Sequence, residues 1–555
     1  MKKGVLYLAI TSLLLLSTIG CKGKEEKASG NSSVGFDNSK PLTISVFTIQ
    51  QKQQPPADNK IYKWIKEKYN VDFTWDILVG DKDQKIGVLI ASGDYPDLVE
   101  VDSTKFQDAG ALIPLEELIE KYGPNIKKHY ASCWKKITED DGHIYCLPNW
   151  GVIDGRDQST YYGDSALWIQ KDVLKEFGYP KVTTIDEYFD IIEKYMKKYP
   201  TTDGMPTIPF TILTYDWHDF CLINPPNFCA GYPNDGNGTV DMVNGKLTYR
   251  DFLNQDISKK WFKKLCEMNA KGLIDKSCFV DNYDQYIAKL SSGRVLGMHD
   301  QRWQFNDAMN ALDVSGKYNK TMAPLPIVFD NSITPRYRNK PLPNIRRGFG
   351  ITTKCKDPIK VIQFINAQLD EETQRVFHWG IEGEDWQYNE NHEPYRTEKQ
   401  RMDQKDATWI LRNKADLWYS TAPKMEGSFS DGYACDMNYI PSEYLASQKP
   451  EDVELWKAYG VSSDAELMDK NPPDNSTWFP MWQETPPDGS EAQLALNKCQ
   501  QAYRKYLPKI IMGKPADFEA NWSEYMKALD DANINKYNEF MQSKLDARLV
   551  KYGTK

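Results

Sequence analysis

The sequence predicts an α/β protein built from parallel-sheet units, and three observations predict it. With 555 residues, 40% of them hydrophobic and 26% charged, the chain has a globular balance and room for two or three cores. Strand-like and helix-like stretches alternate along its first hundred or so residues. Finally, the stretch 90–123 ends a helix at Ser92-Gly93, turns at Asp94-Tyr95-Pro96, runs Asp97-Leu-Val-Glu-Val101 as a short buried strand and opens into the polar loop Asp102-Ser-Thr104. In open α/β sheets ligands collect beyond the carboxyl ends of strands, so this loop is a candidate ligand floor. The same outline fits an ordinary αβ crossover equally well.

In chain order, Leu42 to Thr48 alternates and is rich in β-branched residues, which predicts a strand. Asn59 is placed to cap a helix through Tyr69 with Ile61, Trp64, Ile65 and Lys68 on its inner side. Val71 to Ile77 is the next strand and Lys82 to Ala91 the next helix. With Leu98 to Val101 this makes β-α-β-α-β, half of a parallel sheet with right-handed crossovers. Ala111-Leu-Ile-Pro-Leu115 leads into another helix. Ala166 to Ile169 is a strand, with Asp172 as a cap for a helix reaching Gly178. Thr184 and Glu187 have the spacing of a capping box for a helix from Ile185 to Tyr199. Helices over 261–272 and 283–292 precede the strand Val295-Leu-Gly-Met298, and Pro358 to Leu369 is a helix with Val361, Ile362 and Ile365 facing in. The stretch 389–508 is helical, aromatic and proline-punctuated. The terminal helix over 528–549 reads as ordinary surface helix.

Several short motifs fall in a recognisable order: Ala91-Ser-Gly-Asp94 with Pro96-Asp97, Gly110-Ala-Leu-Ile-Pro-Leu115, Asp141-Gly-His-Ile-Tyr-Cys-Leu-Pro148, Ala166-Leu-Trp-Ile-Gln-Lys-Asp172, Leu290-Ser-Ser-Gly-Arg-Val-Leu-Gly-Met298 with Trp303, and Gly348-Phe-Gly-Ile-Thr352. This series resembles the extracellular solute-binding proteins of ABC importers, family 1, the carbohydrate-binding group, in its long lipoprotein branch. Each motif is soft; their common order over about 41–388 carries the resemblance. It implies a two-lobed periplasmic-binding-protein-like fold (type II), each lobe a sheet flanked by helices, joined by hinge crossings. Lobe 1 is then expected over 41–165 plus about 327–388, and lobe 2 over 166–326 plus about 389–555 with a helical elaboration. The implied activity is capture of a carbohydrate, most simply an oligosaccharide, for an ABC permease by a monomeric receptor without cofactor or metal.

The N-terminus agrees with export. Lys2 and Lys3 precede an apolar run from Val5 to Leu16, too short for a stable membrane anchor, and Gly20-Cys21 resembles the bacterial lipobox. Cys21 is thus the expected lipidation site after a signal peptide of residues 1–21, which would tether the protein to the extracellular face of the cell membrane. Thr18, where that motif usually carries Leu, leaves plain secretion as the alternative. Residues 22–40, rich in Lys, Glu, Gly, Ser and Asn, read as a flexible tether.

The net charge of -9 excludes nucleic acid as a partner, since phosphate binding needs a basic footprint. The six histidines form no H-E-x-x-H pair and no G-x-S-x-G occurs. A secreted carbohydrate-active enzyme stays open on spacing alone, because two glycosidase carboxylates are usually distant in sequence. A ligand-sensing partner of a membrane kinase is the third reading. Asn234-Asp-Gly-Asn-Gly-Thr-Val-Asp241 has calcium-like oxygen density but lacks the final Glu of an EF-hand loop, and a glycine-rich hairpin turn explains it better. Nine cysteines remain beyond Cys21; Cys221/Cys229 and Cys266/Cys278 are close enough to pair, without spacing deciding the matter.

The chain carries 16 Trp and 32 Tyr, and a ring with an apolar face and polar edge suits the mixed CH and OH surface of a sugar. The ligand candidates are Asp102 at the end of the organising strand, Trp150 after Leu147-Pro-Asn149, Tyr215 and Trp217, Trp379 and Trp386 flanking Gly380 to Gly383, and Trp303 with Asp300 and Arg302 on one loop. The resemblance points to Trp303 and to the segment 211–217 as suppliers of cleft rings. Each ring could instead pack inside or between the lobes.

Overall fold

The structure, a computed structural model, describes residues 36–101, 104–157, 160–236 and 238–553. Cys21, the tether up to Gly35 and Asp102 lie outside these residues. From Phe36 onward the chain forms one unit.

Two sheets organise it. The strands are β1 (Leu42–Thr48), β2 (Val71–Ile77), β3 (Leu98–Val101), β4 (Leu147–Pro148), β5 (Ser165–Gln170), β6 (Ile208–Thr211), β7 (Val295–Gln301), β8 (Met322–Leu325) and β9 (Gly348–Ile351). The first sheet runs β2-β1-β3-β9-β4, with β1 parallel to β2 and β3 and the late strand β9 antiparallel to β3 and β4. The second runs β8-β5-β7-β6, with β5 antiparallel to both neighbours and β7 parallel to β6. This is the mixed α/β architecture that the sequence predicts.

The inner strands of both sheets are largely buried, so apolar side chains fill both faces, while Thr, Ser and Asp punctuate β1 and the more exposed edge strand β2. In β5, Leu167 and Ile169 enter one core while Ala166 and Trp168 enter another. In the first sheet Ile44, Val46 and Leu98 point one way and Phe47, Val99 and Val101 the other. Local signals set the flanking helices. Asn59 accepts from the Tyr62 amide at the start of Lys60–Tyr69, and Thr184 with Glu187 closes a full capping box on Ile185–Lys198. The helix Pro358–Gln368 buries Val361, Ile362 and Ile365.

Three local expectations are corrected, and the cysteine question left open is answered. Asp172 is not a cap: the helix begins at Lys171, and Asp172 pairs with Lys320 at 2.8 Å. The C-terminal helix breaks at Asn533, whose φ of 63° starts a new helix over Ile534–Tyr552, and Tyr537, Met541 and Leu545 make that helix a core element. The stretch after 389 does not pack wholly on the second sheet. Ala415, Trp418 and Ala422 join the first sheet's core, where the Trp418 ring lies 4.6 Å from Phe73 and donates to Gln368 Oε1 at 2.7 Å. Residues from Tyr444 to Ile534 fill the second sheet's core instead. All nine described cysteines, the two suggested pairs included, are free.

Among the described residues no helix is long and apolar enough to cross a membrane, and no cluster of three His, Cys, Asp or Glu could hold a metal. In the loop 234–241, Asp235 is buried and accepts the Met481 and Trp482 amides, while Asp241 serves Tyr232 and Arg250. The strand Gly238–Val243 opens a hairpin there.

Candidate functional site

Asp102 and Ser103 of the loop expected as a ligand floor lie outside the described residues; on the strand before them, the one carboxylate points inward. Glu100 of β3 is fully buried and accepts from Thr48 Oγ1 at 2.6 Å, the Ile49 amide at 3.1 Å and Gln50 Nε2 at 2.7 Å, with Arg347 Nη2 at 3.7 Å. Its carboxylate is spent on tying the carboxyl ends of β1 and β3 together.

A cleft of about 630 Å³ instead opens between segments that follow the two sheets. On the first side, Trp150 follows β4 and is 43% exposed. Its neighbour Gly151 has φ +75°, and a Cβ there would meet Leu342 O at 1.9 Å, so the turn presenting the ring requires glycine. Lys424 Nζ lies 3.7 Å from the Trp150 ring centroid, a cation–π contact that fixes the ring from behind. Burial pushes the Lys424 pKa down to about 8, offset by Glu426, and burial raises the Glu426 pKa in turn. Glu426 Oε2 accepts the Gly151 amide at 2.5 Å. His378, also lining the cleft, is held neutral: burial first, then Lys424 and Lys414, push its pKa down to about 3.

On the second side, β7 ends at Gln301 and the helix Arg302–Val314 begins. Trp303 stands in its first turn, 53% exposed and lining the cleft, with Nε1 donating to Gln301 Oε1 at 2.5 Å. Trp217 stacks on it at 6.0 Å and 8°, and Phe220 continues the stack at 6.2 Å from Trp217. A third half-exposed indole, Trp482, lines the cleft; its amide donates to Asp235 Oδ1 at 3.1 Å. The cleft therefore offers several ring faces beside carboxyl and hydroxyl groups, the surface a saccharide needs.

The predicted residues divide. Trp150 and Trp303 share the cleft, Trp217 backs Trp303, and Tyr215 is exposed on the adjoining turn without lining it. Asp300 is corrected: it is fully buried, taking the Tyr286 hydroxyl at 2.6 Å, the Gln301 amide at 2.6 Å and the Gln304 side chain. Burial raises its pKa to about 6. It braces the helix start that carries Trp303 and touches no cleft. Arg302 is corrected too: its guanidinium lies over Trp168 and Phe305, its Nε donates to Asn306, and it faces a separate polar pocket behind Tyr161. Trp379 and Trp386 are core residues. Trp379 is wholly buried, donates to Cys435 O at 2.8 Å and meets Trp386 edge-on at 4.8 Å, while Trp386 donates to Gly380 O.

Sequence reasoning missed Asp164, Tyr161, His378, Tyr419, Glu426 and Trp482 of the cleft wall. The Phe479-Pro-Met-Trp482 stretch could have drawn attention as a ring in proline-punctuated loop; the others sit in no motif.

With this geometry in view, the chain belongs to the bacterial extracellular solute-binding proteins, whose family pattern matches residues 60–381. It is a receptor and not an enzyme. The fructooligosaccharide ABC transporter substrate-binding protein FusA of Streptococcus pneumoniae is 28% identical over 407 residues, 70% of this chain and 72% of FusA. Lipoprotein LipO of Bacillus subtilis is 22% identical over 419 residues, covering 70% and 74%. In structure, the chain matches an HMO-binding, ABC-transporter-associated solute-binding protein from Bifidobacterium longum infantis with a TM-score of 0.64 at 17% identity, over 92% of this chain and 99% of that one. The periplasmic-binding-protein-like fold is thereby shared over nearly the full length.

Proposed function

We propose that the protein captures an oligosaccharide in the cleft between its two sheets and delivers it to an ABC permease. The observation that carries this reading is the set of half-exposed indoles, Trp150, Trp303 and Trp482, around one cleft of about 630 Å³ with polar groups between them. Single exposed rings are ordinary on a surface, but three around one concavity suit a ligand with apolar ring faces. The ligands for which the relatives are named, a fructooligosaccharide for FusA and HMO for the Bifidobacterium protein, support the same class. Contacts from both walls would couple loading to closure about the chain crossings from β4 to β5 and from β8 to β9, so that only the loaded form presents the permease-docking surface.

A thermal-shift panel of neutral oligosaccharides tests the reading. A ligand at 100 times its Kd is expected to stabilise by about 2.7 kcal/mol. No shift with any saccharide at millimolar concentration would overturn it.

We also propose that Cys21 carries a lipid anchor on the extracellular face. The support is the Gly20-Cys21 sequence after a short apolar run and the lipoprotein relative. Labelling cells with a fatty-acid analogue is expected to mark the protein and to leave Cys21→Ser unmarked; label persisting on the variant would refute anchoring there.

A further inference from the structure

Asp164 lies on the turn that leads into β5, and it is held close to the stacking platform. Ser165 pairs with Gln301 across the β5–β7 ladder, and the Arg302 amide donates to Gly163 O at 3.0 Å. Asp164 is thus one residue beyond the ladder on one strand, as Trp303 is two residues beyond it on the other. Both line the cleft. The Tyr162 hydroxyl, donating to Ser165 O at 2.6 Å and to Tyr337 O at 3.3 Å, braces the turn.

Among the described residues the Asp164 carboxylate has neither hydrogen-bond nor ion-pair partner, and it is open to the cleft. The enclosing walls raise its pKa to about 6, with desolvation the cause. A carboxylate accepts up to four hydrogen bonds and donates none. With no protein donor taken up, all of that capacity is available to a ligand in the cleft.

The charged groups around it set which ligand that is. Asp157, Glu426 and Asp436 line the same cleft, against the two cations Arg338 and Lys340. Lys340 pairs with Asp474 at the rim, and Arg338 gives one of its N–H groups to Asp469 O at 2.7 Å, so the acidic side chains of the wall outnumber its cations. Lys424 sits behind the Trp150 and Tyr419 rings.

We infer that Asp164 is a specificity-determining residue that accepts hydroxyl hydrogen bonds from a sugar stacked on Trp303, so that the receptor takes neutral oligosaccharides and rejects those bearing uronates. A neutral sugar offers the vicinal O–H donors that this acceptor lacks, as charge-assisted hydrogen bonds. A uronate brings a like charge into a cleft whose walls hold four carboxyl side chains, and like-charge juxtaposition is how such sites exclude wrong ligands. The inference rests on the oligosaccharide reading above.

The test uses the full mature chain and two probes: the neutral oligosaccharide giving the largest thermal shift in the panel, and the same oligosaccharide oxidised to the acid at its primary hydroxyls. Calorimetric titration of the wild-type protein is expected to show at least tenfold tighter binding of the neutral form. Asp164→Ala is expected to weaken neutral binding tenfold or more. Asp164→Asn, which keeps an acceptor oxygen and loses the charge, should fall between and narrow the neutral-to-acid ratio at least severalfold. Unchanged melting temperatures of both ligand-free variants separate these effects from misfolding, since Asp164 makes no internal contact to lose. If Trp303→Ala abolishes binding while both Asp164 variants bind within twofold of wild type, the cleft reading stands and this inference falls. A wild-type protein that binds the acid as tightly as the neutral sugar overturns it as well, and one that binds no saccharide overturns the cleft reading itself.

Discussion

Replacing Trp303 with alanine is expected to weaken oligosaccharide binding about thirtyfold while leaving the fold nearly as stable as before. The ring is half exposed, stands in the first turn of its helix and makes one side-chain hydrogen bond, to the neighbouring Gln301. Its removal therefore opens no cavity in the core. As the central platform of the cleft it behaves as a buried anchor once ligand is bound, and such anchors cost about 2 kcal/mol or more on truncation, which converts to about thirtyfold in Kd. Trp217→Ala should cost less, because that ring supports Trp303 from outside the cleft. Trp379→Ala supplies the opposite pattern. That ring is fully buried among Trp386, Phe429 and the Arg375 guanidinium. Its truncation is expected to cost about 3–5 kcal/mol of stability with Kd unchanged in whatever fraction stays folded. Calorimetry and melting on the same samples decide between the roles. An unaltered Kd for Trp303→Ala would remove the ring from the site.

The contrast between these two tryptophans shows which parts of the site the sequence could reveal. Helix starts were readable because a cap is a local transaction: Asn59 reaches the Tyr62 amide three residues on, and Thr184 and Glu187 satisfy each other. Strands were readable from β-branched alternation, as in Leu42–Thr48, and from short apolar runs such as Ala166-Leu-Trp-Ile169. Whether a ring faces ligand or core is decided by distant partners. Trp379 is buried because Cys435 O, 56 residues away, accepts its N–H, and nothing near Gly380 announces this. Asp300 and Asp164 look alike in sequence, each acidic and each next to a strand end. One is enclosed by Tyr286 and Gln304 from neighbouring helices, and the other is left facing the cleft. Trp418 likewise joins the first core through Phe73 and Gln368, contacts that no periodicity encodes.

A stability effect as large as that of Trp379→Ala is expected at Glu443. Its carboxylate is 2% exposed and holds two arginines that come from one side of the second, polar pocket. Arg396 donates through Nε at 2.8 Å and through its own backbone amide at 2.9 Å, and Arg401 Nη1 donates at 2.9 Å. Arg396 Nη1 and Nη2 also donate to Gln404 Oε1 at 2.9 Å and Asn438 Oδ1 at 2.8 Å. The cluster pins the helix Glu398–Asp403 to the segment that carries Pro441–Ser447. Converting Glu443 to Gln keeps the shape and removes the charge, leaving a guanidinium that is 3% exposed without a counter-ion. Breaking a buried pair from one side costs about 3–5 kcal/mol, because the remaining charge is neither solvated nor paired. Removing both partners together, as in Glu443→Leu with Arg396→Met, should cost less than the sum of the single changes, since only the more exposed Arg401 is then left without its counter-ion. Urea unfolding of the two single variants and the double variant measures that coupling directly. Additive losses, or singles that each cost under about 1 kcal/mol as an exposed pair would, would show that this cluster is solvated and does not hold the wall together.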